Sequence, residues 1–390
     1  MAKKAKSKDI VVDDVSSESE VDAIFDMIEE LNPDASTLSE NSLSTVSGFI
    51  DTGNFALNAI ISGSVFGGFP IGRVGGFFGP PATGKTLIVN KIIANAQKMG
   101  FRPVYFDSEQ ALDNLVAARL GCDVSKIKHV PVEIIEECKT QMLTVLERAI
   151  EAGLKKRLIL CVDSLGGLNT LKEMTDSLEG KSAADMGLRA KQLKSMINKL
   201  TFRAAKSETP ILFTNHIYEN PGDLYPSMIK KQPGGLSPLF IASLLVQLSA
   251  TNIKSKDDKG EVGKLSDKVS GTNLRAFVTK NRFVPPFMSA EMYLNFKTGL
   301  DPYSGLLDFA TKMDFIQKTG PTYTMNGEKL GYASTFAQNP DFWNEGVLKQ
   351  FDEVLKAELT YSNEEYADLK EQMDTLEEEI MDEEDEEDTN

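Results

Sequence analysis

Eight consecutive residues, Gly79-Pro80-Pro81-Ala82-Thr83-Gly84-Lys85-Thr86, constrain this chain more than any other stretch. They fit G-x-x-x-x-G-K-[ST], a loop that works only between a buried strand and the start of a helix. Residues 74–78 before it read as a strand, and residues 87–97 after it read as a helix without a breaker. The chemistry accounts for the composition. Glycines let backbone N–H groups wrap phosphate oxygens, and the helix N-terminus adds its dipole. Lys85 then supplies a cation toward β- and γ-phosphates, and Thr86 offers a hydroxyl to Mg2+. A chance glycine turn with a lysine is the plain alternative, and the strand–loop–helix setting argues against it.

Such a loop needs a metal-holding acid at the end of a second buried strand. Leu158-Ile159-Leu160-Cys161-Val162-Asp163 fits, with Asp163 placed to hold the metal through water. Alone, an aspartate ending a strand is most often a loop cap; the phosphate loop gives this one its meaning. Between the two motifs, Val104-Tyr105-Phe106-Asp107-Ser108-Glu109 is another strand ending in acids. Glu109 is the candidate for orienting an attacking water and accepting its proton. Asp107 is the rival, with the plainer reading of a strand-end carboxylate.

Runs rich in Val, Ile, Leu and Phe at 74–78, 103–106, 158–162 and 211–214 alternate with helical segments. That alternation predicts an α/β fold with a mostly parallel central sheet flanked by helices. Apolar residues make up 41% of the 390, enough for a sizeable core. Four regions are expected. Residues 1–50 carry a polar tail, a short helix and a linker; 51–300 form the core; 301–362 form a small C-terminal α/β domain; 363–390 form an acidic, disordered tail. In the first, Val21, Ile24, Phe25, Ile28 and Leu31 fall at helical spacing before Pro33. That helix either folds back on its own domain or docks on another subunit. In the third, two helical patterns flank a turn-rich stretch, 320–332.

Charged residues, not an apolar run, follow Met1, so no secretory signal is expected, and no stretch is long enough to span a bilayer. Three cysteines without a CxxC and two histidines exclude a disulfide framework or a zinc cluster. The chain reads as soluble and cytoplasmic, without a membrane partner. Its net charge of −16 sits almost entirely after residue 363, where 15 acids face the single base Lys370. The tail either keeps the chain soluble, competes with DNA phosphates for basic surface, or recruits a basic partner. The global charge therefore does not exclude nucleic acid.

Beyond these motifs the residues resemble RecA-type recombinases, and especially the strand-exchange recombinases of T4-like bacteriophages. The resemblance runs colinearly through Gly68-Phe69-Pro70-Ile71-Gly72-Arg73, Asp107-Ser108-Glu109-Gln110-Ala111-Leu112-Asp113 and Val162-Asp163-Ser164. It continues through Asp185-Met186-Gly187-Leu188, Thr214-Asn215-His216, Gly234-Gly235, Lys280-Asn281-Arg282 and Asp301-Pro302-Tyr303-Ser304-Gly305-Leu306-Leu307-Asp308. It implies a RecA-type P-loop ATPase core that uses ATP and Mg2+, filaments on single-stranded DNA, and strand exchange with homologous duplex DNA. It further implies a single-strand-binding protein and a loader as partners, and the host cytoplasm as location if the chain is phage-borne.

Position by position, Glu109 matches the catalytic glutamate and Asp113 the acid that meets the adenine amino group. Val116 stands where bacterial members stack a tyrosine on the base. His216 takes the place of the γ-phosphate sensor. Lys280 and Arg282, one residue apart on an expected strand, share a face and match the pair that reaches ATP on the adjacent subunit. A solvated pair is the bland alternative.

Two segments, about 166–187 and 218–238, match the family's DNA-binding loops; mobile active-site lids would have the same composition. In and after the first, Met186 matches a base-step wedge, with Gly187, Arg189, Lys191 and Lys194 beside DNA, and Asn198 where bacterial members have arginine. In the second, Lys230 and Lys231 are phosphate cations, Gly234 and Gly235 allow close backbone approach, and Met228 or Ile229 is a second wedge. A RecA-fold ring helicase acting on single-stranded DNA is the runner-up. A small-molecule kinase would need an acceptor pocket, and a non-hydrolysing scaffold would not need Lys85, Thr86, Glu109 and Asp163 together.

Overall fold

The computed structural model describes residues 16–36, 43–110, 112–181, 186–217, 241–251, 271–295 and 299–359. All four expected strands are present: β1 (Val74–Phe78), β2 (Arg102–Asp107), β4 (Leu158–Asp163) and β5 (Ile211–Asn215). With them, β3 (Lys128–Pro131), β6 (Leu244–Thr251), β7 (Gly271–Asn281), β8 (Ser289–Asn295) and β9 (Gly299–Leu300) build one sheet of order β9-β8-β7-β6-β1-β5-β4-β2-β3. The strands from β6 through β3 in that order run parallel. The remaining three are antiparallel additions beyond the expected parallel set.

The strand β1 is buried at every position because helices cover both faces of the sheet. Alternate residues serve the two sides. Phe77, Tyr105, Cys161 and Leu212 pack with Ile88 and Ile92 of the phosphate-loop helix, Lys85–Lys98, and with the helix Phe55–Ser62. Phe78, Phe106, Val162 and Phe213 pack on the opposite side with the helices Ile135–Glu151 and Met186–Ser207. A parallel sheet puts all its carboxyl ends on one edge, where the phosphate loop after β1, the turns after β2 and β4, and His216 after β5 meet.

The chain divides into two compact units, Met1–Thr45 and Val46–Asn390. The first contains the helix Ser16–Leu31, which extends the expected 20–31 pattern by one turn. In the second, the segment after 301 carries both expected helices, Leu306–Lys312 and Glu345–Glu358. The stretch between them is a three-stranded meander, Gln317–Thr319, Thr322–Met325 and Glu328–Gly331. Its second turn is Asn326-Gly327 with both residues at positive φ, 52° and 83°, the backbone that a two-residue hairpin demands.

Phe309, Phe315, Trp343 and Phe351 of this segment belong to the same buried cluster as the phosphate-loop helix. Two polar ties fix it there. Asn54 caps the helix Phe55–Ser62 through Leu57 N (2.8 Å), while its amide donates to Asp301 O (2.8 Å) and Ser304 O (2.9 Å). Asp352, buried on the helix Glu345–Glu358, accepts from Ser64 Oγ (2.6 Å) and Val65 N (2.9 Å) and pairs with Lys356. Asp352→Ala strands the Val65 amide without its acceptor, a loss of about 2 kcal/mol for a buried donor. Urea melts of the variant are expected to show that drop; a change under about 0.5 kcal/mol would mean the tie is incidental.

Candidate functional site

The phosphate loop follows β1 directly, and its conformation explains its residues. Gly84 (φ 77°) and Ala82 (φ 61°) both adopt left-handed backbone, which turns successive N–H groups toward a common centre. A side chain at Gly79 is excluded, because its Cβ would lie 2.4 Å from Leu248 O. Thr83 Oγ1 closes the loop onto Pro80 O (2.9 Å). Lys85 Nζ donates to Gly79 O (2.8 Å) and Pro80 O (2.9 Å). Burial lowers the Lys85 pKa, and the nearby Asp163 and Glu109 carboxylates oppose that shift. The cation is thus held against the loop from which phosphates would be gripped.

Asp163, at the end of β4, is the hub. Its Oδ2 accepts from Thr86 Oγ1 (2.8 Å) and Tyr105 OH (2.6 Å), and Thr214 Oγ1 hydrogen-bonds to Oδ1. Burial first, then the charges around Cys161 and Asp163, push the Tyr105 phenol far above its usual pKa, so it remains a donor. The peptide between Asp163 and Ser164 is cis. Thr86 and Asp163 present hard oxygens side by side. Among the described residues no group of three or more His, Cys, Asp or Glu is placed to cage a metal. This donor set fits Mg2+, which is held by one or two protein oxygens and shares the rest of its shell with phosphates and water.

Glu109 stands over this hub. Its Oε1 hydrogen-bonds to Ser164 Oγ and lies 2.9 Å from His216 Nε2. On its other side the imidazole Nδ1 is 3.5 Å from Lys85 Nζ. An ammonium only donates and a carboxylate only accepts, so a neutral ring with hydrogen on Nε2 satisfies both contacts. Lys85, His216, Glu109 and Ser164 therefore form one chain of polar contacts from the phosphate loop to the candidate base.

Asp107, the rival acid, is buried and turned away from that chain. It accepts from the amides of Glu109 (3.2 Å) and Leu112 (3.3 Å) and lies 3.0 Å from His129 Nε2. Asp113 caps the helix Asn114–Arg119 through Leu115 N (2.8 Å) and Val116 N (2.9 Å).

Lys280 and Arg282 lie elsewhere. Lys280 is near the end of β7 and buried; Arg282 is just beyond the strand and exposed, so the two differ in exposure. Arg282 N bonds Ser243 O (3.1 Å), and Ser243 N bonds Val74 O (2.8 Å). That is the amino end of β1, a strand's length of roughly 15 Å from the phosphate loop. Arg73 is buried at the same end, its pKa lowered by burial and then by Arg282.

Of the residues in and after the first expected DNA loop, Met186 opens the long helix, and Gly187, Lys191 and Lys194 are exposed on it. Lys191, Lys194 and Asn198 recur at helical spacing on one exposed face. Arg189 instead turns inward and donates to Gly166 O (2.6 Å), where it braces the start of that loop. Met228, Lys230, Lys231, Gly234 and Gly235 lie outside the described residues. Sequence reasoning missed Tyr105, Thr214 and Ser164 as partners of the two acids. Each belongs to a strand end already singled out, but nothing in a linear string shows which hydroxyls converge.

Thr86→Ala removes the hydroxyl beside Asp163. Mg2+-dependent nucleotide affinity is expected to fall about tenfold, or about 1.4 kcal/mol, whereas Thr86→Ser stays close to the parent. Titrating Mg2+ against a fluorescent nucleotide checks this, and equal affinity for all three proteins would remove Thr86 from the metal site.

Comparison with known proteins agrees with this geometry. A family model described as the RecA N-terminal domain matches residues 23–301. Protein RecA of Anaplasma marginale (strain Florida) is 30% identical over 339 residues, covering 85% of this chain and 87% of that protein. Protein RecA of Thermus thermophilus is 30% identical over 318 residues, covering 79% of this chain and 87% of its own length. Protein RecA of Oceanobacillus iheyensis is 29% identical over 307 residues, 78% and 80% of the two chains. With its phosphate loop, metal-side acid and sheet all inside the matched span, the chain belongs to the RecA family.

Proposed function

We propose that this chain is an ATP-driven DNA recombinase that stacks head to tail along single-stranded DNA, pairs it with a homologous duplex and exchanges strands. Family membership makes it a DNA-dependent ATPase of recombination and repair, with ATP and Mg2+ as its ligands. The finer reading, kinship with the recombinases of T4-like bacteriophages, rests on the motifs quoted above. With it go a single-strand-binding protein and a loader as partners, and action in the cytoplasm. Among the described residues no helix is long and apolar enough to cross a membrane.

One observation carries the filament. The phosphate loop lies at the carboxyl ends of the parallel strands, and Lys280 and Arg282 lie at the opposite end. A chain with a nucleotide grip on one end and cations on the other cannot use both on its own triphosphate. Copies stacked head to tail place the cations of one over the γ-phosphate of the next, as arginine fingers do. A contact of two different surfaces propagates without closing unless the rotation happens to make a ring. ATP at the joint links filament stability to nucleotide occupancy. We divide the chain accordingly: 1–50 for subunit docking, 51–300 for ATP and DNA, 301–362 as a small C-terminal domain, and 363–390 as an acidic tail.

In hydrolysis, Lys85 grips the β- and γ-phosphates and Thr86 and Asp163 hold the metal side. Mg2+ held there would supply positive charge beside the phosphates. The Oε1 of Glu109 is engaged by Ser164 and His216, so Oε2 takes the proton of the attacking water. The water oxygen bonds to the γ-phosphorus as its bond to the β–γ bridging oxygen breaks. His216, touching both Lys85 and Glu109 and opening the second expected DNA loop, carries nucleotide state toward DNA. The exposed Lys191 and Lys194 contact phosphates, which makes binding sequence-independent and salt-sensitive.

Electron microscopy with a non-hydrolysable ATP analogue and single-stranded DNA tests the assembly: an open helix is expected, and closed rings or monomers would reject it. Glu109→Gln is expected to keep nucleotide and DNA binding while turnover falls at least about a hundredfold; a normal rate would remove Glu109 from its role. Lys280→Ala with Arg282→Ala should leave nucleotide binding by the monomer nearly intact and shorten or abolish filaments in the same images. Full-length filaments from that double variant would refute the cross-subunit contact.

A further inference from the structure

The Asp107–His129 pair plays no part in the steps above, yet it bears on them. Asp107 ends β2, opposite Asp163 in the sheet register. Its Oδ1 accepts from the amide of Glu109 (3.2 Å), and its Oδ2 accepts from the amide of Leu112 (3.3 Å). His129 Nε2 lies 3.0 Å from that same Oδ2. An ionised carboxylate only accepts, so Nε2 carries the hydrogen whether the ring is neutral or charged.

His129 comes from β3, the strand at the sheet edge, where it sits opposite Tyr105. Its side chain is 42% exposed while that of Asp107 is 2% exposed. The main chain is held at the same place, since Val132 N donates to Asp107 O (3.1 Å). The turn that Asp107 organises is also strained. Gln110 adopts φ 55°, a left-handed backbone that a residue other than glycine keeps only when its surroundings over-determine it.

We infer that His129 is a positioning residue for ATP hydrolysis: through Nε2–H it locks the Asp107 carboxylate against the amides of Glu109 and Leu112, and so sets the turn that aims Glu109 at the attacking water. The competing account is that the hydrogen bond only fastens an edge strand. The inference rests on Glu109 being the catalytic carboxylate.

DNA-stimulated ATP turnover by the full-length protein separates the accounts. His129→Ala is expected to lower kcat about tenfold or more, since small misplacements of a reacting group are costly in rate, with KM for ATP within about twofold. His129→Gln, whose amide can donate to the same oxygen, recovers most of that loss. His129→Phe, which keeps a ring at the edge and donates nothing, matches the alanine variant and stands in for it should alanine not fold. In a Glu109→Gln background, His129→Ala leaves the residual single-turnover rate unchanged, because no carboxylate remains to be aimed.

The inference is overturned by a normal kcat in His129→Ala and His129→Phe, or by the same fold-loss in the Glu109→Gln background. It is equally overturned by a loss that tracks thermal stability and KM and that glutamine does not repair. Full turnover by Glu109→Gln alone would instead sink the reading of Glu109, and this inference with it. A normal His129→Ala beside an inactive Glu109→Gln sinks only the inference.

Discussion

A carboxylate buried in a protein has to be matched by donors, and the match made by Asp163 organises this molecule. Its three hydroxyl partners come from the phosphate-loop helix (Thr86), from β2 (Tyr105) and from β5 (Thr214). One side chain therefore pins the loop to the sheet and sets the spacing of the strand ends around it. The oxygens that would face a metal are the same ones that hold the fold together there. Loop, sheet and metal site cannot move independently.

The second organising fact is the polarity of the parallel sheet. Because β6, β1, β5, β4 and β2 all point one way, their carboxyl ends all lie at the edge that carries the phosphate loop. The antiparallel β7 reverses direction and delivers Lys280 and Arg282 to the other edge. Within one chain, a strand's length therefore separates these cations from the phosphate loop. The long helix Met186–Ser207 links the two themes, since Arg189 braces the loop after β4 while Lys191 and Lys194 face outward.

Much was legible in the residue string because local chemistry dictated it. The phosphate loop needs glycine and lysine at fixed spacing, and four apolar runs had the length and flanks of buried strands. The helices around the meander showed their 3.6-residue period. The meander itself was not legible, since its strands are three or four residues long and half exposed, too short for an alternating pattern to stand out. Nor were the antiparallel strands beyond β6, whose pairing depends on long-range register. The hub around Asp163 was missed for a related reason. Thr86, Tyr105 and Thr214 are far apart in sequence, and only the strand order brings their hydroxyls together.

By itself, then, the sequence determined the kind of chemistry: a triphosphate cradle with acids at two neighbouring strand ends, each written in contiguous residues whose backbone and side-chain demands are local. Tertiary structure decided the rest. It turned the Glu109 carboxylate toward Ser164 and His216 and the Asp107 carboxylate toward His129. It also turned Arg189 inward, and set Lys280 and Arg282 a strand's length from the loop. Those outcomes depend on which strands lie side by side and in which direction, and that is settled by packing two apolar layers on one sheet rather than by any short run of residues.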